Sequence, residues 1–284
     1  MTTTTTTTPA HRWDDVPTEF VEVGGYRYAY RRSGPRGATP LVLCLRFRGT
    51  IDHWDPAFLD VLSAGRDVVV FDNRGLNLTS GEPARTVAEM ADGVHDVLDG
   101  LGFEQADLLG WSLGGIVAQA AAFARPGRVR RLVVAGSTSG GVPGQPPTDE
   151  RVWQVAGRGA NTDEDFLELF FPRTPAGRSA GLASLRRLDR RLLASGATAS
   201  PAAVQGQLAA IAALGEGFWR RLTDLQIPVL VANGAHDVMI DAYATYAMST
   251  RLPNARAVLF SDAGHGFLFQ HAEEFGADVL RFLG

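Results

Sequence analysis

The sequence contains no lysine: all 27 basic residues are arginine. With the heavy use of Ala and Gly, that absence reads as a coding bias rather than as chemistry. There is one cysteine, Cys44, so no internal disulfide can form and an oxidising compartment is not indicated. Set in an apolar run with no base beside it, Cys44 reads as a core thiol. Positive charge is not in excess either. The net charge of -4 gives no electrostatic case for nucleic acid or an anionic membrane. No apolar run approaches the ~18 residues of a membrane span, and the N-terminus lacks the basic and apolar regions of a secretory signal. These absences lead to the expectation of a soluble, cytoplasmic protein acting on a small molecule. They carry no signal of oligomeric state.

What is present is an ordinary globular composition, 45% apolar and 20% charged, in 284 residues. The opening M-T-T-T-T-T-T-T-P is low-complexity, and residues 1–17 are expected to form a disordered tail. From Phe20 to Arg32, two Val/Tyr-rich segments flank Gly24-Gly25 and predict a hairpin. Short apolar runs at 40–45, 67–72, 106–111, 131–136, 228–233 and 255–260 predict strands buried on both faces. Between them, helical spacing covers 54–62, 84–101, 113–125 and 267–283, with Gly102 placed to end the second. This alternation predicts an α/β fold: a mostly parallel sheet with helices on both faces. The rhythm breaks at G-S-T-S-G-G-V-P-G-Q-P-P (136–147), after which helical patterns fall at 166–171, 180–193 and 201–214. Residues 137–217 are therefore read as an inserted helical cap, dividing the core into 18–136 and 218–284.

Residues 107–115 read D-L-L-G-W-S-L-G-G. In a strand–turn–helix setting, Gly110-Trp111-Ser112-Leu113-Gly114 fits the G-x-S-x-G nucleophile elbow. The turn is tight enough to exclude a Cβ two residues before and two after the serine. The serine oxygen is thereby exposed at the carboxyl edge of the sheet, at a helix N-terminus that favours developing negative charge.

A serine hydroxyl needs a base within hydrogen-bond reach. Of six histidines, His265 stands in S-D-A-G-H-G-F (261–267), directly after the last predicted strand and on the same sheet edge as Ser112. The acid that would orient it is Asp237, in N-G-A-H-D-V-M-I after the preceding strand; Asp262 lies too near His265 in sequence. His236-Asp237 has no second cluster at ligand spacing, so no metal is expected, and the chemistry requires no cofactor. Asp52 and Asp55, around His53, read as helix caps. For Trp153, Phe166, Phe170, Phe171, Phe218 and Trp219, two readings stay open: an apolar pocket lining or amphipathic packing.

The elbow and the chain order Ser112, Asp237, His265 resemble the α/β-hydrolase fold superfamily across about residues 18–284, and within it the cofactor-free haloperoxidase/esterase branch. That resemblance implies a serine hydrolase acting on an ester, thioester or lactone, with the Phe47 and Leu113 N–H groups as oxyanion hole and Arg46, Trp111, Phe170, Phe171 and Phe267 around the substrate. Alternatives are a different reaction in the same pocket (perhydrolysis, C–C hydrolysis, a cyclase or lyase) or a ligand-binding module without catalysis. The chain departs from the branch in two places. L-R-F-R-G-T (45–50) replaces an H-G-x loop, and Asn77 stands at the second glycine of G-x-G-x-S. Asp72 and Arg74 are expected to anchor that second loop. Arg46 and Arg48 are expected to share one side of an extended segment, opposite Phe47, and to pair with acids such as Asp52 or Asp72. If they face the pocket mouth instead, they would favour a substrate with a carboxylate or phosphate.

Overall fold

The computed structural model describes residues 12–284; His11 and the threonine run lie outside them. Eight strands form one sheet: β1 (Glu19–Val23), β2 (Tyr26–Ser33), β3 (Leu41–Cys44), β4 (Val68–Phe71), β5 (Ala106–Trp111), β6 (Val129–Ala135), β7 (Val229–Gly234) and β8 (Ala255–Phe260). Their order across the sheet is β1-β2-β4-β3-β5-β6-β7-β8. β2 pairs antiparallel with β1 and β4, and every other pairing is parallel. The central strands β3, β4 and β5 are buried at every residue, which their unbroken apolar runs require.

The helices are α1 (Pro56–Gly65), α2 (Val87–Gly100), α3 (Leu113–Ala124), α4 (Glu150–Ala156), α5 (Asp163–Phe170), α6 (Pro175–Ser195), α7 (Pro201–Ala212), α8 (Tyr243–Arg251), α9 (Phe267–Gln270) and α10 (Ala272–Leu283). Capping fixes several starts. Asp55 caps α1 ahead of Pro56, and Thr86 with Glu89 forms a capping box on α2. Two apolar layers result. One contains Phe58, Leu59, Trp111, Phe267 and Phe275, and the other Val42, Val94, Leu108, Val117 and Val231. None of the described helices is long and apolar enough to cross a membrane.

Several expectations change. Trp13–Asp15, assigned to the tail, form a 3₁₀ turn; Trp13 and Val16 bury their apolar side chains, and the Trp13 N–H donates to Asp60 at 2.6 Å. The helix expected from Trp54 begins at Pro56, because Ile51–His53 make a separate 3₁₀ turn. The final helix breaks at His271 into α9 and α10. Helices α4 and α8 had no counterpart in the sequence pattern. Residues 136–147 hold no helix or strand, and α4–α7 follow between β6 and β7.

Candidate active site

Because β3, β5, β6, β7 and β8 run parallel, the loops after them gather along one edge of the sheet. Ser112 follows β5 directly, with φ 59° and ψ −125°. A non-glycine residue in that region is strained, and strain of this kind concentrates at functional sites. The surroundings hold it there. A Cβ on Gly110 would overlap the backbone of Gly114, and one on Gly114 would overlap the Cys44 carbonyl. The Ser112 N–H donates to the Ala135 carbonyl at 2.9 Å, and the Ser112 carbonyl accepts from Ser137 Oγ at 2.7 Å. The glycines let α3 and β5 close onto β3, and the serine takes up the forced turn.

His265 and Asp237 meet as a buried pair, with Nδ1 2.7 Å from Oδ2 and both side chains at 1% exposure or less. The other Asp237 oxygen accepts the N–H groups of Met239 and Ile240 at 2.7 and 3.0 Å, so the carboxylate is fixed from both ends. With Nδ1–H donated to Asp237, Nε2 is left as the imidazole's acceptor. Nε2 is buried and has no hydrogen-bond partner among the described residues. Trp111 steadies the ring, since its indole N–H donates to the His265 carbonyl at 3.0 Å and its ring lies 5.6 Å away. Asp262 is engaged elsewhere, 2.9 Å from His271.

Ser112 and His265 line one cavity with Arg46, Phe47, Arg48, Ala156, Asn161, Phe166, Leu169, Phe170 and Met239. The cavity is small, about 70 Å³. Of the expected pocket residues, Arg46 and Phe170 are here, and Trp111 lies behind them, fully buried. Phe171 lines an outer groove and Phe267 is packed between Phe260 and Phe275, so neither reaches the cavity. Trp153 is exposed, while Phe218 packs tilted against Phe123 and Arg251 covers Trp219. Asn161, Leu169 and Met239 were not singled out in the sequence; for Met239 the signal was its place two residues after Asp237.

The two arginines correct the expectation made for them. Residues 47–48 form a turn, with Arg48 at φ 59°, and among the described residues neither arginine pairs with an acid. Arg48 donates to the carbonyls of Ala156, Arg158 and Gly159, and its N–H to Gln207 Oε1. The Arg46 guanidinium lies over Phe170 and Trp111, at 5.0 and 5.7 Å from the ring centroids. Burial, and then Arg48, lower its pKa to about 10, so it remains charged at neutral pH. Burial and the two arginines lower His53 to about 3 and keep it neutral; its Nδ1 accepts the Thr50 N–H.

The neighbouring loop is anchored as expected. Asp72 accepts from the Ile51 N–H and from Asn77 Nδ2, both at 2.8 Å, and Asn77 has φ 49°. Burial pushes Asp72 up to about 7. Arg74 pairs with Asp96 at 2.6 Å. Asp55 caps α1, whereas Asp52 pairs with buried Arg31 at 2.6 Å instead of capping. Cys44 is buried and its thiol is pushed up to about 12 by desolvation, which suits a core thiol. Among the described residues, no group of three or more His, Cys, Asp or Glu could hold a metal ion.

A family model described as alpha/beta hydrolase fold matches residues 39–272. The chain is 32% identical over 216 residues, 71% of its length and 83% of the relative's, to a pimeloyl-[acyl-carrier protein] methyl ester esterase of Aromatoleum aromaticum. It is 30% identical to a 2-hydroxy-6-oxononadienedioate/2-hydroxy-6-oxononatrienedioate hydrolase of Pseudomonas putida, over 78% of this chain and 79% of that one. A solved alpha/beta hydrolase fold protein from Chitinophaga pinensis superposes with a TM-score of 0.86 at 35% identity, covering 95% of this chain and 98% of the other.

Proposed function

The chain belongs to the alpha/beta-hydrolase fold family and is a hydrolase, and on that premise we propose that it cleaves a small or medium ester, thioester or lactone through Ser112, His265 and Asp237. The observation that carries this reading is the buried His265–Asp237 hydrogen bond, with Nε2 unpartnered among the described residues and His265 lining the cavity that Ser112 also lines. A relative named as a methyl ester esterase supports an ester as the reacting bond.

In this reaction Ser112 Oγ attacks the carbonyl carbon and its proton passes to His265 Nε2. Asp237 holds the imidazolium that forms. The carbonyl oxygen becomes an oxyanion, accepted by the N–H groups of Phe47, in the cavity wall, and of Leu113, whose N–H opens α3. His265 then returns the proton to the leaving oxygen or sulfur, leaving an acyl-serine. Water, deprotonated by the same Nε2, attacks that ester and frees Ser112. The helices α4 and α5 act as part of a cap, because Ala156, Phe166, Leu169 and Phe170 close one side of the cavity.

A fluorophosphonate probe tests the reading. The wild-type protein is expected to label at Ser112 and to lose esterase activity in step with labelling, whereas Ser112→Ala takes up no probe. Equal labelling of both proteins would refute the assignment.

A further inference from the structure

We propose that the cavity beside Ser112 selects substrates carrying a carboxylate, and that the Arg46 guanidinium binds it. The proposal rests on the reading of Ser112 and His265 as the reacting centre and adds the charge of the compound they act on.

Among the described residues, Arg46 and Arg48 are the charged ones that line the cavity apart from His265, and no carboxylate lines it. The two cations are not equivalent. Arg48 spends its guanidinium on three carbonyls, those of Ala156, Arg158 and Gly159, and so fastens the turn after α4. Among the described residues the Arg46 guanidinium makes one hydrogen bond, from Nη1 to the Phe47 carbonyl at 2.8 Å. Its Nε is buried without a partner, and no acid lies within ion-pair distance of it among the described residues. A guanidinium carries five donors, and leaving a buried one unpaired costs free energy that an acceptor would recover.

Arg46 is also held in place. Its guanidinium carbon lies 5.0 Å from the Phe170 ring centroid and 5.7 Å from that of Trp111, within cation–π range, so aromatic rings and not a counter-ion position it. His265 and Arg46 line the same cavity and both lie beside the Phe170 ring, at 5.6 and 5.0 Å from its centroid. A carboxylate fits better than a phosphate. One free guanidinium offers a planar two-donor edge that matches a single carboxylate, while a phosphate dianion calls for a second free cation, and Arg48 is already occupied.

The test compares isosteres that differ only in carboxylate against carboxamide. N-methylglutaramate and N-methylglutaramide, both without an ester, are titrated calorimetrically into wild type, Arg46→Gln and Arg46→Lys, each checked for native circular dichroism. The wild type is expected to bind the anion roughly ten- to a hundredfold more tightly than the amide. Arg46→Gln is expected to abolish that ratio and Arg46→Lys to retain part of it. The kcat/KM ratio of monomethyl glutarate to methyl glutaramate is expected to fall in Arg46→Gln by a similar factor, mainly through KM. An absent wild-type preference, whether both probes bind or neither, overturns the proposal. So does a preference that survives Arg46→Gln. Because binding is read without turnover, anion preference in a protein that takes up no fluorophosphonate would leave the Arg46 site standing and refute the serine chemistry alone.

Discussion

Gly110 and Gly114 face each other across the Ser112 turn so closely that a methyl group on Gly110 would overlap the Gly114 backbone. The clash is with main chain at the centre of the sheet, so no side-chain rotation relieves it. Gly110→Ala is expected to cost about 3 kcal/mol or more and to reduce soluble yield. At Gly102, beyond α2, a Cβ meets nothing within 4 Å and only the positive φ of 70° is unfavourable. Gly102→Ala is expected to cost about 1 kcal/mol. Denaturant melts of the two variants compare a steric requirement with a conformational one, and equal losses would contradict it.

Ser112→Ala and His265→Ala are each expected to lower ester turnover on the order of 10⁴-fold while leaving the melting temperature nearly unchanged. Asp237→Asn is expected to cost less but still heavily, because an amide no longer fixes the tautomer that leaves Nε2 free. Asp262→Asn should be close to silent, since Asp262 contacts His271 at the surface. Steady-state kinetics with one neutral ester rank all four; a silent Asp237→Asn beside a damaging Asp262→Asn would reassign the acid.

Asp72 gives a pH signature. Its folded pKa is raised by burial to about 7, above the ordinary carboxylate value it has when unfolded. The stabilisation tied to its protonated form is therefore complete below the unfolded pKa, and it is lost as pH rises toward 7. Asp72→Asn lacks this titration. The stability of wild type minus that of Asp72→Asn is expected to fall from pH 4 to about pH 7 and to level off above it, measured by urea unfolding. A difference that stays constant or rises with pH would mean that Asp72 is not held protonated in the fold.

Asp55, fully buried, accepts from the Ala57 N–H, from Ser184 Oγ and from two Arg187 nitrogens. It thus joins the start of α1 to the middle of α6. Arg187→Met would strip the counter-ion from a buried charge and is expected to cost about 3 kcal/mol. The double variant Asp55→Asn with Arg187→Met is expected to recover part of that loss. A thermodynamic cycle of unfolding free energies measures the coupling, and additive losses would deny it.

Strand β5 was legible because burial on both faces leaves little room for polar residues, and 106–111 match it residue for residue. The range 255–260 also matches β8, but the burial expected there is not found: β8 is the edge strand, and most of its residues are exposed or half-buried. Helix α8 was not legible, since Y-A-T-Y-A-M-S-T-R carries a weak apolar stripe and places Tyr246 in solvent. Helix α4, seven residues long, is too short for a period to declare itself. The direction of Arg46 and Arg48 was misread for a different reason. Alternation of sides would put Phe47 opposite both arginines, but it applies to extended chain, and the turn with φ 59° at Arg48 brings Arg46, Phe47 and Arg48 to the wall of one cavity. Sheet-edge placement of Ser112, Asp237 and His265 follows from topology, whereas the aromatic lining depends on how α4–α7 fold back, which local pattern does not encode.

The Gly266 N–H donates to the Phe170 carbonyl at 2.7 Å, so the loop that carries His265 leans on the last residue of α5. Arg48 and Asp55 supply further ties from the sheet to residues 156–159 and to α6. The stretch between β6 and β7 is thus not an attachment that could be exchanged at its two ends. A chimera that grafts another protein's sequence there must also supply a carbonyl for Gly266, three for Arg48 and a cation for Asp55. Divergence in this stretch is constrained to keep those partners together, even where its surface is free to drift.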